Sequence, residues 1–390
     1  MDGLAVGPYH RVLMTDAVSP VIKRWQTRAL IIGVIAAILS FIGLFLNRPQ
    51  FFHSYLFAWL FWSGLSFGAL VLVMMQFLTG GLWGLAVRRL SIAAFMTLPL
   101  MAILFLPVLL GLHDIYGWSN GARAEAEGYH HKAQYLNAPF FTARAIIYFV
   151  MLTVFGVALR KRMAEHRDVR AIPALSAGGL IVYVLCMNFA STDWVMSLDP
   201  VWYSTVFVEV FASGQFLAAL ALMTALLVLF TYQFSLGDAV PVKAFHDLGN
   251  MLLAFVIFWA YVTFAQFLII WSGNLPKEIS WYLPRSSGGW QWFALALMLG
   301  QFLLPFALLL SRTAKRRPRS LAIICIVIVL ANVLMNFWFV APAFHPRVYV
   351  HSLDFTELLA IGGFWFALFF HFLKQRPLLP IELTEEHRNA

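Results

Sequence analysis

Charge is what this sequence has least of. Of its 390 residues only 12% are Asp, Glu, Lys or Arg, 61% are hydrophobic, and the mean hydropathy is +0.79. A soluble globular domain carries about a quarter charged residues, so the composition excludes that class and points to a chain threaded through a bilayer. Cysteine is scarcer still. Cys186 and Cys325 both lie in apolar runs, and neither belongs to a CxxC, CxxCH or ferredoxin-type spacing. The sequence therefore offers no ligand set for c-type haem, an iron–sulfur cluster or zinc. The eleven histidines all fall in tails, in loops or near span ends. A membrane-embedded b-type haem needs paired ligands at membrane depth, which these positions do not supply. No small-residue cleavage site follows Lys23 and Arg24, so the N-terminal segment reads as leading into a retained first helix rather than as a removed leader.

What is present is a succession of long apolar runs. A bilayer core needs about 20 apolar residues per helix, and ten segments qualify, at about 28–46, 55–79, 91–111, 141–160, 172–190, 203–231, 247–271, 290–311, 319–339 and 356–373. The expected organisation is an all-α, ten-helix membrane domain over 28–373, with tails at 1–27 and 374–390. Ten spans return both termini to one side. On that side, counting the N-terminal stretch through Arg28, the even-numbered loops and the C-terminal tail, lie 20 of the 27 Lys and Arg, in strings such as "RKRMAEHRDVR" and "SRTAKRRPRS". Positive residues concentrate in cytoplasmic loops, so both termini are expected in the cytoplasm. The net charge of +9 is thus a matter of orientation, and a nucleic-acid partner is excluded. The opposite face carries the longest loop, 112–140, and an aromatic set comprising Trp118, Trp194, Trp202, Tyr203, Trp271, Trp281, Tyr282, Trp290 and Trp292. For most of these, anchoring in the interface is a sufficient expectation.

The carboxylates are the informative residues. Asp114, Asp193, Asp199, Glu209, Glu278, Asp354 and Glu357 fall at or near the outer face, and "STDWVMSLDPVWYSTVFVEVF" holds three of them without a single Lys or Arg. Asp199 before Pro200 has the pattern of an N-cap for the sixth span. Asp193 closes the fifth span beside Trp194. Glu209 is expected two turns into the sixth span, between Thr205 and Ser213, either bonded to a neighbouring helix or handling protons or a ligand. In "APFFTARAIIYF", Arg144 lies at the depth of Asp193 and Glu209, with Tyr148 a turn deeper on the same face. These four can form an ion pair, a quinone-binding cleft, or both. The seventh span, "HDLGNMLLAFVIFWAYVTFAQFLIIW", offers His246, Asp247 and Asn250 at its cytoplasmic start, Asp247 being the expected cap. Farther along, Trp259, Thr263 and Gln266 share a face, with Tyr261 nearby. Together with the outer acidic cluster, these suggest two proton half-channels, or else ordinary interhelical hydrogen bonding.

The strings "FLTGGLWG", "LPLMAILFLPVLLGLHDIYGW", "PFFTARAIIYF", "DWVMSLDPVWYST", "HDLGNMLLAFVIFWAYVTFAQFLIIW", "GGWQWF", "LPFALLLSRTAKRRP" and "FWFVAP" resemble the ActF membrane subunit of the bacterial alternative complex III, a quinol:electron-acceptor oxidoreductase. The resemblance covers nearly all of 28–345. It implies a fold like the NrfD and polysulfide-reductase membrane subunits, with four-helix bundles of helices 2–5 and 6–9 flanked by helices 1 and 10. It also implies the bacterial cytoplasmic membrane as location and a set of partners: a homologous ten-helix NrfD-like subunit, an iron–sulfur subunit, c-type cytochrome subunits, small anchoring subunits and, in some assemblies, a terminal oxidase. Haem c and iron–sulfur clusters would reside in those partners, and this chain would at most bind quinone or menaquinone. Members of the family carry His before "LTGG"; Phe77 stands there in this chain, so no ligand or proton role is carried to it. The resemblance leaves proton conduction, an auxiliary quinone site and structural support as this subunit's share. A proton-coupled secondary transporter and a purely structural anchor are the competing classes; no pair of Gly/Pro-interrupted helices in corresponding halves marks a transporter's midplane site.

Overall fold

The computed structural model describes residues 15–120, 132–165, 171–237 and 239–379; the outer parts of both tails, the middle of the 112–140 loop and the second half of "RKRMAEHRDVR" lie outside them. Every regular element among the described residues is helical. Hydrocarbon offers no partner to backbone N–H and C=O groups, so a crossing segment must satisfy them internally. Ten helices are long and apolar enough to cross, which makes this a multi-pass membrane protein. They are α1 (Thr15–Leu46), α2 (Arg48–Thr79), α3 (Leu82–Leu110), α4 (Ala138–Glu165) and α5 (Ala171–Trp194), followed by α6 (Phe207–Gln233), α7 (Val242–Gly273), α8 (Trp290–Leu310), α9 (Pro318–Val340) and α10 (Ser352–Leu373).

Two helices form the centre. The most apolar stretches of α2 and α6 are 94% and 83% buried, against 22% for α1 and α8. An apolar circumference suits a helix enclosed on all sides, and α2 lies against α3, α5, α6, α9 and α10. It starts where Asn47 accepts a bond from the Gln50 N–H (3.4 Å) with Pro49 in the first turn. It ends at Gly80 and Gly81, whose φ values of 69° and 92° favour glycine. Proline interrupts two other spans. α3 breaks just ahead of Pro99 and Pro107. In α8, Pro305 has no N–H for the Gln301 carbonyl, and the turn before it widens into a π-helix over Met298–Leu303.

Several boundaries differ from the sequence expectation. α1 begins at Thr15 rather than near 28 and runs through Pro20; nothing in "VIKRWQTRA" breaks a helix, and the exposed Lys23, Arg24 and Arg28 can extend to the interface. α3 begins at Leu82 rather than 91, with Arg89 inside it; that guanidinium is held by the Phe372 and Leu373 carbonyls at 2.7 and 3.1 Å, the C-terminal end of α10. α6 begins at Phe207, since 199–203 is spent in a turn. The aromatic set is also less of a belt than expected. Trp118, Trp194, Trp202, Trp281 and Trp290 are buried, while Tyr203, Trp271 and Trp292 are exposed. Trp202 stacks on Trp281 with centroids 4.4 Å apart, so these rings pack loops onto the bundle.

α1 and α10 approach most closely at Gly33 and Gly363, where a Cβ on Gly363 would lie 2.3 Å from the Gly33 Cα. Small residues let membrane helices pack backbone to backbone. Gly363→Ile should force the pair apart and destabilise the protein by about 1–3 kcal/mol, read as a lower thermal midpoint in detergent. An unchanged midpoint would mean that the two helices are not packed this way.

Candidate functional site

Arg144 and Asp193 meet. The guanidinium of α4 and the carboxylate at the end of α5 form a two-point ion pair, Nε to Oδ2 at 2.8 Å and Nη2 to Oδ1 at 2.7 Å, with both residues buried. The Tyr148 hydroxyl donates to Asp193 Oδ2 at 2.7 Å, and Arg144 Nη1 donates to the Tyr135 carbonyl at 3.0 Å. The rings of Tyr135 and Phe140 close over the guanidinium at 3.8 and 4.3 Å. The cation missing from the acidic stretch is thus supplied by α4, and the pair is enclosed by its own side chains.

Glu209 does not join them. It lies in the first turn of α6, exposed, rather than two turns inside, and no side-chain partner answers it. The stripe expected around it is split, with Thr205 exposed before the helix and Ser213 buried in it. A carboxylate in a first turn is favoured by the helix dipole, which accounts for it without a proton role. Asp199 is not the cap of α6. Its Oδ1 accepts from the Val201 N–H at 3.2 Å and its Oδ2 from the Ser280 hydroxyl at 2.8 Å, tying two loops together. Asp247 is not a cap either, because Pro241 precedes the first residue of α7. Asp247 lies 3.7 Å from His246, whose ring meets Asn250 at 3.2 Å, and Asn250 accepts from Lys315 Nζ at 2.7 Å. Burial pushes the Lys315 ammonium down, with Arg312 adding to the effect.

The other half of the α7 set lines a groove of about 890 Å³ between α7, α8, α9 and the connection 274–289. Trp259 and Gln266 are buried there, and Tyr261 faces outward. Trp259 Nε1, Thr263 Oγ1 and Gln266 Oε1 have no hydrogen-bond partner among the described residues, and neither does Trp338 Nε1 across the groove. Burial pushes the Tyr282 phenol up to about 12 and the Arg285 guanidinium down to about 9. His246 and Asp247 belong to the opposite end of α7, separated from this stripe by "MLLAFVIF".

A third cluster was passed over as a site in the sequence. Asp354 and Glu357 of α10 are buried against α1 and α2. Ser54 donates to Asp354 Oδ1 at 2.6 Å, Gln50 Nε2 donates to the Ser54 hydroxyl at 2.9 Å, and Gln50 Oε1 meets His345 Nε2 at 3.1 Å. The His351 N–H donates to Asp354 Oδ2 at 2.8 Å. One turn deeper, the Ser40 hydroxyl bonds Glu357. Among the described residues no Lys or Arg pairs with either carboxylate. His345 sits in the connecting loop, partly exposed, and burial lowers its imidazole below the usual range. The signal available in the sequence was the i, i+3 spacing of Asp354 and Glu357 on a span otherwise free of charge until Lys374. Among the described residues no group of three or more His, Cys, Asp or Glu is placed to hold a metal ion. No protein-family model matches this chain, and no curated protein matches it.

Removing one member of the Arg144–Asp193 pair strands a buried charge. Asp193→Asn should destabilise the protein by about 3–5 kcal/mol, whereas Arg144→Met combined with Asp193→Leu should lose less. Thermal unfolding of the three variants checks the order.

Proposed function

We propose that this chain is a ten-helix membrane subunit of a bacterial respiratory quinol-oxidising complex of the alternative complex III kind, and that its own share is assembly and proton conduction. In this reading both termini face the cytoplasm, helices 2–5 and 6–9 act as the two bundles, and the partners are the homologous ten-helix subunit, the iron–sulfur subunit, the c-type cytochromes and the small anchors. Contacts among α2, α3, α4 and α5, among α6, α7, α8 and α9, and between α1 and α10 support that grouping. Haem c and iron–sulfur clusters belong to the partners, so quinol oxidation takes place beside them.

The observation that carries proton conduction is the cation-free pair Asp354 and Glu357, reached from the loop by His345, Gln50 and Ser54. Ionisable groups retained at membrane depth mark ion and proton routes; the His345 imidazole and the two carboxyls can bind and release protons, while the Gln50 amide and the Ser40 and Ser54 hydroxyls orient them by hydrogen bonds. About two turns farther along α10 from Glu357 lies the buried Ser66, Thr97 and Trp365 set. That is the layout of a half-channel opening on the periplasmic side. The enclosed Arg144–Asp193 pair does not favour an auxiliary quinone site at that place. The interrupted spans α3 and α8 are each the third of five helices in their half of the chain, so their placement does not weigh against an inverted-repeat transporter.

The chain should be tagged in its native membrane and purified in mild detergent. Stoichiometric haem c, iron and quinol oxidation are expected in what accompanies it, and Glu357→Gln should lower proton-coupled turnover without changing that content. Glu209→Gln should leave turnover intact. A colourless chain isolated alone would identify a transporter instead. Unchanged turnover in both Glu357→Gln and Asp354→Asn would leave an anchor subunit.

A further inference from the structure

The groove between α7, α8 and α9 is not used by the proton route. Its walls are apolar along most of their length, with Ile257, Phe264, Leu295 and Phe302 among them, and they open on the lipid-facing side of α7, where Tyr261 and Phe264 are 67% and 61% exposed. From Gln266 to Ile257 the α7 wall runs about 14 Å at 1.5 Å per residue, close to half of a ~30 Å hydrocarbon core. The groove thus reaches from the water boundary through about one leaflet.

Its polar end is cationic. Arg285 is only 4% exposed and has no carboxylate partner: Nε donates to the Trp338 carbonyl at 3.2 Å, Nη1 to Trp281 at 2.8 Å and Nη2 to Phe339 at 2.7 Å. The Trp338 and Phe339 carbonyls belong to the last turn of α9, whose dipole supplies only about half a negative charge. Asp199 is close enough to act on Arg285 through space, but its oxygens are bonded to Ser280 and Val201. A guanidinium carries five N–H donors, so two remain beyond these three bonds. Trp338 Nε1 adds a donor without a partner, Thr263 Oγ1 a hydroxyl without one, and Gln266 Oε1 a buried acceptor without one. An apolar cleft with a few convergent polar groups at one end is the form of an amphiphile site. Arg285 also stacks on the Trp281 ring at 3.3 Å, yet no carboxylate among the described residues pairs with it, and that positive charge selects an anionic head over a neutral ring.

We propose that this groove seats one phospholipid with an anionic head group, its phosphate at Arg285 and Trp338 and one acyl chain along α7 and α8. Thr263 donates to an ester carbonyl, and Gln266 accepts from a head-group hydroxyl of the phosphatidylglycerol type. The bound lipid packs the connection 274–289 against the ends of α7 and α9, and so holds Trp281 and Tyr282 in place.

The test uses the complete protein in nanodiscs of equal phosphatidylglycerol and phosphatidylcholine, with retained molecules weighed by native mass spectrometry. One phosphatidylglycerol per chain is expected to survive detergent stripping. Arg285→Gln should weaken the preference for phosphatidylglycerol about tenfold, the size of one lost charge-assisted bond. Ala294→Trp, which fills the groove without touching the bonds of Arg285, should abolish retention of either lipid and provides the check if Arg285→Gln does not fold. Retention that ignores head-group charge overturns the proposal. So does retention unaffected by Ala294→Trp, or a quinone held one per chain in place of the lipid and lost in Ala294→Trp.

Discussion

The cost of carrying charge where water cannot reach governs this molecule. A charged side chain at the bilayer centre costs at least about 2.5–3.5 kcal/mol on insertion scales, and most buried cations here are answered by a specific structure. Arg144 has Asp193. Arg89 and Arg285 have none, and each is instead driven into the carbonyls that end a transmembrane helix, α10 and α9 respectively. Lys315 reaches an asparagine oxygen. Helix C-termini carry partial negative charge, so the fold meets part of its positive charge with backbone and leaves carboxylates over. The surplus is concentrated in Asp354 and Glu357, which are answered by hydroxyls, an amide and one backbone N–H.

This division separates structural from chemical ionisable groups. Arg144 and Asp193 engage each other at two points, and neutralising either would break the geometry that makes them tolerable in the interior. Asp354 and Glu357 each rest on a hydroxyl, of Ser54 and Ser40, that can turn from donor to acceptor, so a change of protonation is met there by rotation of that hydroxyl. Burial and charge are alike in the two places. The identity of the partner makes one rigid and leaves the other able to change state.

The ten crossings were legible because long apolar runs have one solution in a bilayer, and the sequence placed each within a few residues except where helices run on past the hydrocarbon. α1 and α3 begin about a dozen and nine residues early, because basic side chains at the interface do not end a helix as glycine or proline does. The meeting of Arg144, Tyr148 and Asp193 was readable from depth alone. The roles given to Glu209, Asp199 and Asp247 were not, since each depended on where a helix starts, and loop geometry such as the Asp199–Ser280 link shifts that start by a turn. The Asp354–Glu357 network joins α1, α2 and α10 across some 300 positions, and no local pattern announces a contact of that range. The groove depends on a π-turn and on a connection folded back over α9, neither of which has a sequence period.

The close approach of Gly33 to Gly363 also bears on the order in which the protein is made. α1 is made before the other nine described crossings, and its principal neighbour, α10, after them. For the whole of synthesis α1 must wait in lipid with its glycine face uncovered. The polar route closes at the same moment, since Ser40 belongs to α1 and Glu357 to α10. A nascent chain stopped before α10 would have at most nine of these crossings and neither carboxylate in place. Closing α1 against α10 therefore completes the surroundings of Asp354 and Glu357 only once all ten described crossings are made.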